Sequence, residues 1–475
     1  MRASRVADLA VAVAIATIPW SDAGQALATS TDYQTAYEIG LRAYTYGLPL
    51  VTMNQTFMTM TSTDVSQGAF RPVNQFNSVR SPNNASSTTV VAPGATSLSS
   101  IAWLDLSEQP QVLHVPKVTG HYFVMAFIDP YTTNLVNLGT ASRTDPGDYV
   151  VFGPDQRDVP LPAGTHRLNV DYPRIWIVGS TQLKGASDIA AVNAIQDQYS
   201  LMPLEAFPSG ASSPATPPAP TDPTITRYDV PTGMEFFDTL GRLLAQFPPP
   251  SRDAPTLREF AAVGIGPGMT PSADPHLGDD TLKGLAAAAA AGPARIRDAT
   301  RSLYLAGFAS HNGYLLGGFG AYGTRYAERA VISQIGLGAF TAHQAIYAMA
   351  WSDRRRVALD GSGRYVLHMP KPPPAKEGWS LTVYNLQGGL IANPLNRFAF
   401  TSTSRLARNP DGSIDFYLQA AAPGNPDRHS NWLPVAAGQG FEVTWRLFAP
   451  TGGKINGILD GTGWQPPAIT RVGPA

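Results

Sequence analysis

From residue 101 to residue 178 the chain alternates short apolar runs with breaks rich in proline and glycine. The runs are Ile101-Ala-Trp-Leu-Asp-Leu106, Gln111-Val-Leu-His-Val115, His121-Tyr-Phe-Val-Met-Ala-Phe-Ile128, Tyr149-Val-Val-Phe152, His166-Arg-Leu-Asn-Val170 and Arg174-Ile-Trp-Ile-Val178. Runs of this length, carrying aromatic and β-branched residues, predict a β-sandwich or barrel. The pattern returns at 379–450, where Trp379-Ser-Leu-Thr-Val-Tyr-Asn385 and Phe441-Glu-Val-Thr-Trp-Arg446 are separated by Asn393-Pro-Leu-Asn-Arg397, Asp411-Gly-Ser413 and Asn431-Trp-Leu-Pro434. Residues 70–100 are rich in Asn, Ser, Thr, Pro and Gly and read as loops.

Elsewhere the apolar period lengthens to 3.6. Tyr33, Ala36, Tyr37, Leu41, Tyr44 and Leu48 follow Thr31-Asp32, a plausible N-cap, and predict a helix ending near Gly47-Leu-Pro49. Helical patterning also covers 187–201, 234–247, 256–263 and 279–308, with Gly292-Pro293 as a break, and 342–351 as a last helix before the C-terminal strands. The fold class is therefore mainly β with α: two β-sandwich, jelly-roll-like domains joined by a helical segment.

The first 28 residues match a secretory signal peptide, with Arg2 and Arg5, an apolar run from 9 to 18, and Ala26-Leu-Ala28 before Thr29. The run is short of the roughly 20 residues a membrane span needs, so no stable membrane insertion is expected after cleavage. A secreted or periplasmic location follows. The expected organisation is a signal peptide at 1–28, an N-terminal β-rich domain with flanking helices at 29–207, a Pro/Ser/Ala-rich linker at 208–225, a helical segment at 226–352 and a C-terminal β-sandwich domain at 353–475.

There is no cysteine, which excludes disulfides, thiol nucleophiles and thiolate metal sites. A net charge of −1 disfavours nucleic acid as a partner. Neither G-x-S-x-G nor H-E-x-x-H occurs. Gly318-Phe-Gly-Ala-Tyr-Gly323 matches a dinucleotide fingerprint by letter but follows no convincing strand, so turns or close packing account for it, and no cofactor is expected. His114 and His121 make a conceivable metal pair without a clear third ligand, and no metal site is assigned.

Polar groups do collect where strands give way to loops, the usual mounting point on β scaffolds. Asp129, Tyr131 and Asn134 are the candidate catalytic residues, with Asp129 as acid or base and Arg143 as an orienting, substrate-binding group. Asn393, Asn396, Arg397, Asn431 and Trp432 form a second substrate-binding set suited to a small-molecule or glycan-like ligand.

Other runs carry a resemblance. Ala102-Trp-Leu-Asp-Leu106, Val112-Leu-His-Val-Pro116, Asp129 with Tyr131 and Asn134, Gln196-Asp-Gln-Tyr-Ser-Leu-Met-Pro-Leu204, Gly264-Ile-Gly-Pro-Gly268, Tyr322-Gly-Thr324 and Asp360-Gly361 together resemble a large family of mostly bacterial exported proteins. That family is built from two paired domains of unknown function, and the resemblance implies two sandwiches with a helical segment between them. The chain departs from it where the family usually carries a Pro-Asn-Asn-Asp-Thr-Leu-Tyr-Ser-like segment, which here reads Pro93-Gly-Ala-Thr-Ser-Leu-Ser-Ser100. No catalytic role is carried to positions 96 and 99. Two main functions stand open: a hydrolase-like enzyme acting on an extracellular small molecule or polymer, or a non-catalytic glycan-, lipid- or metabolite-binding envelope protein; a structural component of the envelope is a third reading. The oligomeric state is left open.

Overall fold

The computed structural model describes residues 32–62, 71–87, 92–209 and 229–474. The expected signal peptide, and positions 210–225 of the expected linker, lie outside them. The chain opens with helix α1 (Tyr33–Thr61), started by Asp32, whose carboxylate accepts from the Thr35 N–H at 2.7 Å. Strands β1 (Asn77–Ser78), β2 (Ser97–Asp105), β3 (Gln111–Val115), β4 (Phe123–Ile128), β5 (Asn134–Gly139), β6 (Gly147–Phe152), β7 (His166–Asn169) and β8 (Arg174–Gln182) follow, then α2 (Ile189–Gln196) and β9 (Ser200–Pro203). They form two sheets, ordered β1-β2-β8-β4-β5 and β7-β6-β3-β9.

Next come α3 (Met234–Gln246), α4 (Ala254–Ala261), α5 (Asp279–Ser310), β10 (Leu315–Gly317) and α6 (Tyr326–Ile335). The chain ends with β11 (Ala345–Ala350), β12 (Gly363–Met369), β13 (Trp379–Asn385), β14 (Ala399–Thr401), β15 (Ile414–Gln419), β16 (Trp432–Pro434), β17 (Phe441–Phe448), α7 (Ile455–Leu459) and β18 (Ile469–Pro474). Their two sheets run β10-β11-β17-β13-β14 and β16-β15-β12-β18. The molecule is thus two β domains linked by a helical region, and among the described residues no sheet closes into a barrel.

Strand alternation explains where the cores lie. Ala102, Leu104, Met125, Phe127, Ile175 and Ile177 point from the first sheet into one core with Leu113 and Val151 of the second sheet and the apolar faces of α1, α3 and α5. The opposite face of that first sheet presents Trp103, Val124, Ala126 and Trp176 to a second core shared with Met53, Phe340, Ala345 and Phe448. One face of the N-terminal sandwich is therefore packed directly against the C-terminal half. The C-terminal sandwich has its own core of Ile346, Leu367, Trp379, Leu381, Phe416, Val443, Trp445 and Leu447.

Four local expectations are corrected. Helix α1 does not stop near Pro49; it runs through it, because Leu50, Val51 and Met53 continue the buried face and offset the backbone hydrogen bond that proline removes. Likewise α5 continues through Gly292-Pro293, with Gly292 set against the ring of Tyr44 where any Cβ would collide. Residues 342–351 form no helix. Their core is strand β11, with Ile346, Ala348 and Ala350 facing the C-terminal core and Ala345, Tyr347 and Met349 on the opposite side. The helical stretch expected at 187–201 is also shorter, giving way to β9.

Candidate functional site

Strand β17 carries the most unusual polar pattern in the molecule. Val443, Trp445 and Leu447 enter the C-terminal core, which turns Glu442, Thr444, Arg446 and Phe448 to the other face. That face is largely covered: Glu442 is 7% exposed and Thr444 is 1% exposed, with Arg446 partly buried. Cross-strand partners share a face, so Tyr384 sits opposite Glu442 on β13, Ser380 and Tyr347 flank Arg446, and Met349 is opposite Thr444. The hydroxyl of Ser380 is buried with no hydrogen-bond partner among the described residues.

Charge on this face is held unevenly. Burial pushes the Glu442 carboxyl up to about 7, against the opposing pulls of the Trp351 side chain, Arg446 and Thr444. Thr444 Oγ1 donates to Glu442 Oε1 at 3.3 Å. Arg446 donates from Nη1 to the Tyr384 hydroxyl at 2.8 Å and from Nη2 to the Ala92 carbonyl at 2.9 Å. Tyr384 in turn donates to the Pro93 carbonyl at 2.8 Å. Residues 92–93 thus cross from the N-terminal domain to cap an arginine and a tyrosine of the C-terminal sheet.

Two hollows open on this face. The larger, about 840 Å³, lies between the helices and the C-terminal sheet, with Glu442 and Trp351 at the sheet and Tyr44, Leu48, Ile296 and Ile335 among its apolar walls. Pro293 also lines it, and because proline lacks an N–H, the carbonyl of Ala289 four residues back, at the same wall, loses its ordinary i+4 donor. The smaller, about 150 Å³, lies between the two β domains, where Arg446, Thr444 and Tyr347 face Trp176, Thr96, Ser97 and Ser99. The segment that departs from the family pattern at 93–100 is therefore a wall of this cavity.

The candidates from sequence reasoning are placed elsewhere. Asp129 is 5% exposed and lines neither hollow; its Oδ1 accepts from the N–H groups of Tyr131 and Thr133, both at 2.8 Å, around Thr132 at φ 66°. This is the geometry of a buried turn cap. Burial pushes its carboxyl up to about 7, opposed first by the Thr133 N–H and then by Arg329. Tyr131 is 1% exposed and donates to the Phe247 carbonyl at 2.7 Å.

Arg143, expected beside Asp129, is instead exposed in the β5–β6 turn at φ 53°. The arginine that faces Asp129 is Arg329, which is 1% exposed, lies over the rings of Tyr46, Tyr131 and Tyr326, and donates to the Tyr46 carbonyl at 3.2 Å. Nearby, Asp253 accepts from the hydroxyls of Tyr46 and Tyr326 at 2.9 and 2.7 Å. The cluster is enclosed by the helices and is a buried polar network of the core. Asn134 comes nearest the hollows: its amide donates to the Ala339 carbonyl at 3.1 Å and its N–H to Gly320, fixing a loop that walls the smaller cavity.

The C-terminal set is brought together, but as turn fasteners. Asn393 accepts from the N–H groups of Leu395 and Arg397, Asn396 takes φ 47°, and Arg397 donates to the carbonyls of His429 and Trp432 at 2.7 and 3.0 Å. Asn431 bonds both backbone groups of Ala407, and the Trp432 indole donates to Gln419 at 2.9 Å. None of them lines either hollow. His114 pairs with Asp148 and His121 with Asp188, so the two histidines do not converge, and no group of three His, Asp or Glu among the described residues could hold a metal.

Among the described residues no helix is long and apolar enough to cross a membrane. Residues 73–203 match the model of a protein of unknown function, DUF1254, and residues 344–452 match a second, DUF1214. No functionally curated protein matches the sequence. In structure the chain is similar to the VPA0106 protein of Vibrio parahaemolyticus, at 20% identity and a TM-score of 0.64 over 92% of this chain and all of that one. It also aligns with an uncharacterised protein of Burkholderia cenocepacia at 12% identity over 93% and 94% of the two chains, with a TM-score of 0.43 that is too low to bear on the fold. With both family domains in chain order and the fold shared end to end, the chain belongs to the proteins built from these two paired domains of unknown function.

Proposed function

We propose that the protein binds a small, mainly apolar molecule carrying one hydrogen-bonding group in the 840 Å³ hollow over Glu442. The observation that supports this most is the meeting of the larger hollow with a buried carboxyl held near 7. Binding sites are typically apolar hollows with a few convergent polar groups and a perturbed acid. A ligand amide, hydroxyl or amine would meet a carboxyl able both to donate and to accept at neutral pH. The walls favour a lipid-like or amphipathic metabolite over a glycan.

Of the two main functions open from the sequence, this supports the non-catalytic binding protein over the hydrolase. The lining contains no serine, histidine or cysteine to act as nucleophile or relay, only the hydroxyls of Thr232, Thr300 and Tyr44. Export to the periplasm or medium, from the signal-like first 28 residues, belongs to the same proposal, and N-terminal sequencing of secreted protein is expected to begin at Thr29. The binding role is tested by native mass spectrometry of protein purified from its producing cells and after delipidation. A co-purifying amphipathic molecule lost on Ala290→Trp, which sets a large ring into this hollow and not into the smaller cavity, supports the reading. Absence of any co-purifying molecule, or its unchanged retention by Ala290→Trp, overturns it.

A further inference from the structure

We propose a second, separate ligand site: a small organic carboxylate held by Arg446 in the 150 Å³ cavity between the two β domains. A guanidinium offers five N–H donors. Two of Arg446's nitrogens serve neutral oxygens, the Tyr384 hydroxyl and the Ala92 carbonyl, and its guanidinium lies over the rings of Tyr347 and Tyr384, while Glu442, the carboxyl that it feels along the same face, lies outside this cavity. No acidic residue among the described residues lines the cavity itself. A cation on the wall of a hollow that holds no carboxylate of its own favours an anion there, because the low local dielectric amplifies the charge.

The rest of the lining defines the class of anion. Thr96, Ser97, Ser99 and Ser180 supply hydroxyl donors on the N-terminal side. Opposite them are apolar groups, notably Trp176, Phe340 and Phe448, that an inorganic anion would leave uncovered. An acid with a compact apolar body satisfies both halves, and a hollow of about 150 Å³ accommodates a molecule about the size of benzene.

The probe is benzoate, with neutral benzamide of the same shape and inorganic phosphate as comparisons, titrated calorimetrically into the full chain at pH 7.5. Benzoate is expected to bind at one site, benzamide about ten- to a hundredfold more weakly as befits a lost charge-assisted contact, and phosphate not to compete. Arg446→Gln is expected to weaken benzoate by a similar factor, and Ser99→Tyr to abolish binding by filling the cavity. Failure of benzoate to bind, equal binding of benzamide, or benzoate binding that survives Ser99→Tyr overturns the proposal. Those outcomes decide it even if Arg446→Gln does not fold. Competition by phosphate with equal affinity would mark a bare anion site and overturn the organic acid.

Discussion

Glu442→Gln is the most telling single change, because the structure fixes both its sign and its size. The carboxyl ionises near 7 in the folded protein against an ordinary 4.5, with burial as the cause. At about 1.4 kcal/mol per pH unit of displacement, ionising it in place costs on the order of 3 kcal/mol. The sign follows from proton counting. Between 4.5 and 7 the folded state holds a proton that the unfolded state has released, so wild-type stability falls as pH rises through this window and levels off above it. Glutamine keeps an oxygen for Thr444 and cannot ionise, so the variant should match wild type near pH 4 and exceed it by about 1–3 kcal/mol at pH 8. Urea unfolding across pH 4–9 measures this. The buried Asp129 titrates over a similar range in both proteins, so it cancels in the difference between them. Superimposable pH profiles would refute a carboxyl held near 7 and remove the main support for the larger hollow as a binding site.

Other expectations are simpler. Trp379, 4% exposed and packed on Phe416 and Trp445, should cost about 3–5 kcal/mol on replacement by alanine, read as a lowered melting temperature. Gly241→Ala should destabilise by about 1–3 kcal/mol, since a Cβ there collides with the Met269 carbonyl oxygen; an unchanged urea midpoint would show that α3 can shift. Asp129→Asn keeps an oxygen for the Tyr131 and Thr133 N–H groups and removes the titrating proton. It should fold, gain stability above pH 7 and bind ligands as wild type does, and a loss of binding would return Asp129 to the site.

The β-rich, helical, β-rich order was legible because strand and helix periods leave a direct mark on the pattern of apolar residues. Burial of Trp379 beside the alternating Leu381 and Val383 was legible for the same reason. The errors came where long-range packing overrode local signals: Pro49 and Pro293 end helices in isolation, but here α1 and α5 are held by each other and by α3. Strand β11 escaped because Ala345, Ala348 and Ala350 carry little β preference and only pairing with β17 makes them a strand. Glu442, Thr444 and Arg446 do not stand out in the sequence for a related reason. Their alternation with Val443 and Trp445 is the ordinary signature of a strand with one wet face, and nothing local announces that a second domain covers that face. Asp129 and the Asn393–Trp432 set were prominent because polar residues at strand ends are shared by sites and turns alike.

The core made by Trp103, Trp176, Phe340 and Phe448 has a consequence for inheritance. Each half of the chain contributes to it, so what is interior for the pair would be bare apolar surface on either half alone. A gene that lost one half would encode a product prone to aggregation, and a duplicated half would have to evolve a new partner or a new surface before it could persist. The two domains of this chain are therefore expected to travel through evolution as one unit, fused in a fixed order, with changes on one side of the Trp103–Phe448 contact answered by changes on the other.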